Sequence, residues 1–265
     1  MTIRVAVAGA TGKLGSVAAG LIERTPGFEL VAAMNSSSSL DEMLGSAGHR
    51  TDVVIDATAP AASAAIVDFA IEHGVNALVG TSGWSADRIA ALGRSLASHP
   101  ERGVVIIPNF SLGSALASAF ASVAGRFFDS IEIVEAHGAA KVDSPSGTAV
   151  RTAELITAAR GGRGPVQAQH TDQRARGQQV ASIPVHSLRM QGVVASQRVL
   201  FGGPGEVLTV AHDTIDPRAY EAGIVLAARA AASTRGVTVG LDKLIDLGIG
   251  DPDHAAAPVV EDGVE

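Results

Sequence analysis

Apolar and polar positions alternate in two different ways along this chain, and the change falls near residue 108. In the first part, short and nearly continuous apolar runs predict strands that are covered on both faces. Amphipathic or apolar stretches of about 10–15 residues separate these runs, and strands that alternate with such helices favour βαβ units and a parallel sheet. The predicted strands are 3–8, 28–34, 53–57, 77–80 and 104–108, and the predicted helices are 14–24, 61–72 and 86–97.

The pattern changes after residue 108, and from residue 183 strand-like runs follow one another without helices between them. Helices are predicted at 116–127 and 149–160, and strands at 130–134, 183–188, 193–201 and 206–212. The segment 160–179 is rich in Gly, Gln and Arg, which predicts a mobile surface loop. Strands without intervening helices favour a mixed or antiparallel sheet, and therefore a second domain of the α+β type.

The pattern predicts an α/β protein with a Rossmann-type parallel sheet domain and a second α+β domain with a mixed or antiparallel sheet. A long apolar helix over 219–232 is expected to pack back on the first domain. We therefore expect residues 1–108 and 217–248 to bind a dinucleotide, and residues 109–216 to bind the substrate and form the oligomer interface. The tail, residues 249–265, has little periodicity and is expected to be disordered.

The composition of the chain excludes several classes of function and partner. The 265 residues include no cysteine, which excludes disulfides, thiolate catalysis and Cys-ligated zinc, and no metal is expected. A formal net charge of −7 gives no long-range attraction to nucleic acid or anionic lipid, so neither is an expected partner. The N-terminal apolar run is too short for a signal peptide, and no run of ~18 apolar residues predicts a membrane span. We therefore expect a cytoplasmic protein.

Three glycines lie between the first predicted strand and the first predicted helix. Gly9, Gly12 and Gly15 have the spacing G-x-x-G-x-x-G, and this context is typical of a dinucleotide fingerprint. The alternative is a plain tight turn. Lys13 could contact a phosphate or the substrate, or be a solvated helix-start lysine. Asn35 stands where NAD enzymes usually carry an acidic residue, and with no charge there we expect both NADH and NADPH to be accepted.

Two later loops follow predicted strands at the sheet edge where parallel sheets bind ligands. They are Gly80-Thr-Ser-Gly83 and Pro108-Asn-Phe-Ser111. Each could be ordinary turn chemistry. Together with the first glycine loop they are candidates for a nicotinamide pocket.

A proton donor and an anion site are predicted within a dozen residues of each other. His137, expected on a loop after the strand 130–134, suits proton transfer near neutral pH, although a lone histidine is more often structural. Lys141 adds a cation on the same segment, and Asp143 is expected to orient it. Ser146 precedes a predicted helix whose first N–H groups could bind a carboxylate. A simple serine N-cap is the alternative at that helix start.

The segment 132–149 resembles the 4-hydroxy-tetrahydrodipicolinate reductase family, formerly called dihydrodipicolinate reductase. The family pattern is E-[IV]-x-E-x-H-x-x-x-K-x-D-x-P-S-G-T-A, and every fixed position is matched. The resemblance also covers the loops Gly9–Gly15, Gly80–Gly83 and Pro108–Ser111, and the segments 56–58 and 241–247. It thus spans nearly the whole chain apart from the tail.

This resemblance implies an NAD(P)H-dependent reductase of lysine and diaminopimelate biosynthesis, usually a homotetramer. The implied reaction converts 4-hydroxy-tetrahydrodipicolinate to tetrahydrodipicolinate with loss of water. It implies His137 as proton donor or acceptor, Lys141 as proton donor, and Gly147 and Thr148 as ligands of a substrate carboxylate. The implied cofactor-binding residues are Gly9, Ala10, Thr11, Gly12, Lys13, Leu14, Asn35, Gly80, Thr81, Ser82, Ile107, Pro108, Asn109 and Phe110.

The chain departs from the family pattern directly after the candidate acid. Most members carry a second histidine there that contacts the substrate, whereas this chain has Gly138. Two alternatives stay open at this stage: a reductase of a related cyclic imine dicarboxylate, and a non-catalytic dinucleotide-binding paralogue. Retention of His137 and Lys141 argues against the second.

Overall fold

Eleven strands and six α-helices make up the computed structural model, which describes residues 2–45 and 50–247. The predicted disorder of 249–265 concerns residues outside these ranges. In chain order the elements are β1 (Ile3–Ala8), α1 (Lys13–Arg24), β2 (Phe28–Met34), β3 (Val53–Asp56), α2 (Pro60–Glu72), β4 (Asn76–Val79), α3 (Ala86–Leu96), β5 (Gly103–Ile106), α4 (Leu112–Ala124), β6 (Ser130–His137), α5 (Gly147–Arg160), β7 (Gln178–Val180), β8 (Ile183–Arg189), β9 (Ala195–Gly203), β10 (Glu206–Thr214), α6 (Glu221–Ala231) and β11 (Gly236–Val239).

The first sheet has six parallel strands in the order β2-β1-β3-β4-β5-β11. Helices α1 and α6 pack on one face of it, and α2 and α3 pack on the other. Every residue of β3, β4 and β5 is buried, in agreement with their largely apolar sequences. The return of α6 to the first sheet is confirmed, since Ile224, Ala227 and Ala231 belong to its core.

The second sheet has five strands in the order β10-β9-β6-β8-β7. Strands β6 and β8 are parallel, and the other pairs are antiparallel, so the sheet is mixed. Helices α4 and α5 cover one face, where Ile133, Ile156 and Phe201 lie in a continuous core. The predicted fold class, a Rossmann-type parallel sheet together with a second domain built on a mixed sheet, is confirmed.

Several predicted boundaries differ from the structure. Helix α4 begins at Leu112 and not at 116, because the Ser111 hydroxyl accepts a hydrogen bond from the backbone N–H of Ser114 and caps the helix. Strand β6 continues three residues beyond the predicted end at 134. His137 is therefore the last residue of a strand and does not lie on a loop, because pairing with both β8 and β9 extends to this position.

The segment predicted as a long loop over 160–179 contains short ordered elements. Helix α5 ends at Arg160, which is buried and donates hydrogen bonds to the backbone carbonyls of Gly125 and Phe128. Two short 3-10 turns follow, and the segment ends in β7. The predicted mobility of this segment stays a prediction. None of the helices within the described ranges is long and apolar enough to cross a membrane.

Candidate active site

A cavity of about 350 Å³ lies between the carboxyl ends of the first sheet and the β6–α5 corner of the second domain. The structure thus brings the predicted nicotinamide loop to the predicted acid and anion site. Residues from both parts line the cavity. They are Gly80, Thr81, Ser82, Gly83, Trp84, Ile89, Ile106, Pro108, Val239, His137, Lys141, Asp143, Ser146, Gly147, Thr148 and Arg151.

The first glycine loop is packed so closely that two of its glycines are required. Gly9 has φ +81°, and a Cβ there would lie 2.5 Å from the Ala57 carbonyl oxygen. A Cβ on Gly15 would lie 2.0 Å from the carbonyl oxygen of Gly9. Helix α1 begins after Gly12 without a side-chain cap and without an acidic residue in its first turn. Free N–H groups at an uncapped helix start fit a pyrophosphate.

The second glycine loop lies against the first. A Cβ on Gly80 would lie 2.7 Å from the ring of Phe110 and 2.8 Å from the Leu14 side chain. The Thr81 hydroxyl accepts a hydrogen bond from the Thr58 N–H (3.0 Å) and donates one to the Asp56 carbonyl (3.3 Å). The three loops therefore meet around Gly80 at the carboxyl ends of the first sheet.

The remaining residues that are expected to bind the cofactor differ in which of their groups are accessible to it. The side chains of Ile107 and Phe110 are buried in the core, so only their backbone could contact a cofactor. Asn109 donates to the hydroxyls of Ser114 (3.1 Å) and Thr148 (3.2 Å), which links the loop after β5 to α5. The Asn35 side chain accepts a hydrogen bond from the backbone of its own turn. Ala10 is half-buried, and Thr11 and Lys13 are exposed.

His137 is fixed by a buried carboxylate. Its Nδ1 lies 2.6 Å from Oε2 of Glu135, whose side chain has 0% exposure. Residues two apart on a strand share a face, so β6 places both groups on the side of α5. Arg189, the register partner of His137 on β8, donates to both carboxylate oxygens of Glu135 at 2.9 Å. The other ring nitrogen of His137, Nε2, has no hydrogen-bond partner within the described residues and is free for a ligand.

Glu135 is ionised in this arrangement. Burial raises the pKa of this carboxyl, but hydrogen bonds from Arg189, from His137 and from the backbone N–H of Ser146 lower it more. The net pKa lies below its ordinary value. An ionised acceptor at 2.6 Å keeps the Nδ1 position of His137 protonated, so the proton that can be exchanged with a ligand is the one on Nε2.

Lys141 is held at the mouth of the cavity by its neighbour. Its Nζ lies 2.8 Å from Oδ1 of Asp143, so the predicted orienting role of Asp143 has a structural basis. The Lys141 hydrogen bond lowers the pKa of Asp143 below its ordinary value. The backbone N–H of Lys141 donates to the carbonyl of Gly138 and closes a turn (3.0 Å). The Lys141 side chain is 30% exposed and lines the cavity, so it is accessible to a ligand.

Helix α5 begins at the cavity wall. Ser146 is its N-cap, and its hydroxyl accepts a hydrogen bond from the N–H of Ala149 at 3.2 Å. Both predictions for this helix start are therefore compatible, since the serine caps one N–H and leaves others open. Gly147 and Thr148 form the first turn and line the cavity, and a Cβ on Gly147 would meet nothing within 4 Å. This end can accept a carboxylate.

Three side chains important to this arrangement were not assigned a role from the sequence: Glu135, Arg189 and Arg151. The E-x-H spacing could have identified Glu135, because strand alternation puts it beside His137. Nothing local indicates Arg189, which lies 54 residues away from Glu135 in the chain. Arg151 can be placed beside Gly147 and Thr148 in the cavity only once α5 is known to begin at Gly147.

The family models and the most similar named relatives all indicate the same family. The family model described as "Dihydrodipicolinate reductase, N-terminus" matches residues 3–110, and "Dihydrodipicolinate reductase, C-terminus" matches residues 110–245. A Clavibacter michiganensis protein named 4-hydroxy-tetrahydrodipicolinate reductase is 63% identical over 247 residues, covering 93% of this chain and 87% of that one. A Streptomyces griseus protein of the same name is 42% identical, covering 92% of this chain and 98% of that one.

A solved structure agrees with these relatives. The dipicolinate-bound dihydrodipicolinate reductase from Paenisporosarcina sp. TG-14 superposes with a TM-score of 0.78 at 26% identity. The superposition covers 92% of this chain and all of that one. The protein therefore belongs to the dihydrodipicolinate reductase family of NAD(P)H-dependent oxidoreductases.

Proposed function

We propose that this protein reduces 4-hydroxy-tetrahydrodipicolinate to tetrahydrodipicolinate with NADH or NADPH, in lysine and diaminopimelate biosynthesis. The observation that carries this proposal is the shared cavity: His137, Lys141 and the start of α5 face the loops that begin at Gly80 and Pro108. A dicarboxylate needs cationic and N–H groups, and reduction needs a proton donor beside the nicotinamide. Both requirements are met by residues that line one cavity of about 350 Å³.

The closely packed loops of the first sheet fit a dinucleotide, and each loop contacts a different part of it. Residues 9–14 bind the pyrophosphate through the α1 N-terminus, and Asn35 lies at the adenosine ribose. Residues 80–82 and 107–110 contact the nicotinamide end, largely through backbone. When bound, the dihydronicotinamide supplies the hydride. Asn35 carries no charge that would exclude a 2′-phosphate, so both cofactors are accepted.

The reaction consumes a hydride and a proton and releases water, so the site must deliver a proton. His137 donates it from Nε2, because Nδ1 is engaged by Glu135 at 2.6 Å. A positioned acid of this kind contributes about 10²- to 10⁴-fold in rate. Lys141 donates a hydrogen bond or a proton to the substrate at the cavity mouth. The N–H groups of Gly147 and Thr148 bind one substrate carboxylate.

We also propose that residues 1–108 and 217–248 bind the cofactor, that residues 109–216 bind the substrate, and that the protein is a cytoplasmic homotetramer.

Support for assembly comes from the face of the second sheet opposite α4 and α5. Leu188, Met190, Val194, Val207 and Ile215 are exposed there, and four of them line a depression of about 410 Å³. Apolar patches of this kind usually mark interfaces. Sedimentation velocity of the wild type against Leu188→Asp tests this: a tetramer that dissociates is expected.

Turnover is tested by following NADPH and NADH oxidation spectrophotometrically when the protein meets freshly made product of the preceding synthase. Oxidation that depends on that product is expected. A mixture that lacks the synthase product is the control for background oxidation. Tight NADPH binding without product-dependent oxidation would contradict the proposed reaction and favour a related substrate or a non-catalytic role.

A further inference from the structure

One arginine in the cavity lacks the partners that comparable arginines have. Seven arginines of the described chain are not exposed, and six of them make hydrogen bonds: Arg4, Arg88, Arg102, Arg160, Arg176 and Arg189. The seventh, Arg151, makes no hydrogen bond or ion pair within the described residues, and its Nε is buried without a partner. A half-buried cation without a partner is costly unless a ligand completes it.

Helix geometry brings this guanidinium to the substrate side of the cavity. Arg151 follows Gly147 by four residues and Thr148 by three, so the three share one face of α5. Helical side chains tilt toward the N-terminus of their helix, which directs the Arg151 side chain back toward the open N–H groups. Arg151 lines the cavity together with Lys141 and His137.

The acidic groups around the cavity do not neutralise Arg151. Asp143 is paired with Lys141, and Glu135 is paired with Arg189. Asp242 shares a smaller adjoining crevice with Arg151, but no ion pair joins these two residues. The cavity therefore presents an uncompensated positive charge beside a helix N-terminus, an arrangement that attracts a second anionic group.

We infer that Arg151 binds one carboxylate of the dicarboxylate substrate, while the N–H groups at the start of α5 bind the other. The inference rests on the proposed function. It also accounts for Gly138, because a guanidinium from α5 can supply the positive contact that a second histidine supplies elsewhere in the family. The planar fork of arginine can donate two parallel hydrogen bonds to a carboxylate.

The test compares a dicarboxylate and a monocarboxylate of the same ring. Dipicolinate and picolinate are titrated calorimetrically into the NADH-loaded protein, for wild type, Arg151→Met, Arg151→Lys and the control Arg94→Met, an exposed arginine on α3. Wild type should prefer dipicolinate by about 10- to 100-fold, the range for a hydrogen-bonded charge. Arg151→Met should lose this preference by weakening dipicolinate alone, and Arg151→Lys should retain part of it.

Each outcome decides the inference. Loss of the preference in Arg151→Met, with picolinate and NADH affinities unchanged and Arg94→Met like wild type, supports it. An unchanged preference, an equal loss for both acids, or a loss confined to NADH would overturn it. A wild type that binds neither acid would contradict the proposed function as well, whereas wild-type binding with an unchanged Arg151→Met preference contradicts this inference alone. Arg151→Lys retains the charge and provides the same comparison if the methionine variant fails to fold.

Discussion

Strand β6 carries two chemically matching clusters on its opposite faces. In each, one glutamate binds an arginine and a histidine from across the second sheet or along the strand. The inner cluster consists of Glu135, Arg189 and His137, and the outer cluster consists of Glu132, Arg176 and His186. The histidine nitrogen lies 2.6 Å from a carboxylate oxygen in both.

Burial and position separate the two clusters. The glutamate side chain is 0% exposed in the inner cluster and 29% exposed in the outer one. Only the inner histidine lines the cavity shared with the cofactor loops. The same three side chain types can therefore form a proposed catalytic site or a surface ion network. The two clusters differ in the face of β6 that carries them, and neither their composition nor the distances within them reveal this difference.

The largest effect is expected from the two histidines. His137→Gln should lower kcat by about 10²- to 10⁴-fold, because it removes the proton donor and leaves the cofactor loops intact. His186→Gln is the matched control on the outer face and should leave kcat near the wild-type value. NADPH oxidation and NADPH affinity are measured for both. Similar kcat values for the two variants would remove His137 from the acid role.

The glutamates should differ in stability. Glu135→Gln leaves Arg189 without its charged partner in a buried place, which costs about 3–5 kcal/mol of unfolding free energy. Glu132→Gln breaks a partly exposed pair and should cost about 0–1 kcal/mol. Urea denaturation of both variants measures the difference. Equal losses would mean that the inner cluster is no more tightly coupled to the fold than the outer one.

Acidification should distinguish the same two positions. The folded-state pKa of Glu135 lies below its ordinary value of 4.5, so its contribution is fully present above pH 4.5 and is lost as pH falls through the folded pKa. The unfolding free energy of Glu135→Gln should therefore fall less steeply below pH 4.5 than that of the wild type. Glu132 also has a lowered pKa, but it is more exposed, so Glu132→Gln should flatten the curve less. Parallel curves for Glu135→Gln and wild type would contradict this.

The smallest effect concerns the missing second histidine. Gly138→His should lower the Michaelis constant for the substrate by about 2- to 10-fold, the range of one added hydrogen bond. A Cβ at this position would lie 3.3 Å from the Val193 carbonyl oxygen, so that backbone has to move by a few tenths of an ångström to admit the side chain. Gly162→His is an off-site control, because Gly162 is exposed and a Cβ there would meet nothing within 4 Å. An unchanged constant for Gly138→His would mean that another group, such as Arg151, already fills this role.

The sequence predicts most of the fold because its information is local. The bounds of β1 and β2 are reproduced at both ends, since these mainly apolar runs end at turn residues. Strand β11 was missed because four half-buried residues, Gly236–Val239, give no apolar run of their own. They become a strand through parallel pairing with β5 at the sheet edge, a contact about 130 residues away in the chain.

The candidate site can also be predicted only in part. Each glycine loop, and the segment from His137 to Thr148, is continuous in sequence, so the spacing within each predicts which of its residues lie close together. The side chains that orient these residues or add charge lie elsewhere in the chain or depend on where a helix begins. Arg189 reaches Glu135 only through the parallel pairing of β6 with β8, and Arg151 depends on the start of α5 being set by the Ser146 cap. Such pairings arise from tertiary structure and leave no local pattern.

The edge position of β11 has a consequence for synthesis on the ribosome. Strand β5 is complete near residue 106, but the strand that covers its free edge, and the α6 helix that covers one face, emerge more than a hundred residues later. A nascent chain therefore carries an unpaired, wholly apolar strand edge while the entire second domain is being made. A chain that stops before residue 236 should therefore aggregate or remain bound to chaperones, although every loop proposed to bind the dinucleotide has been translated.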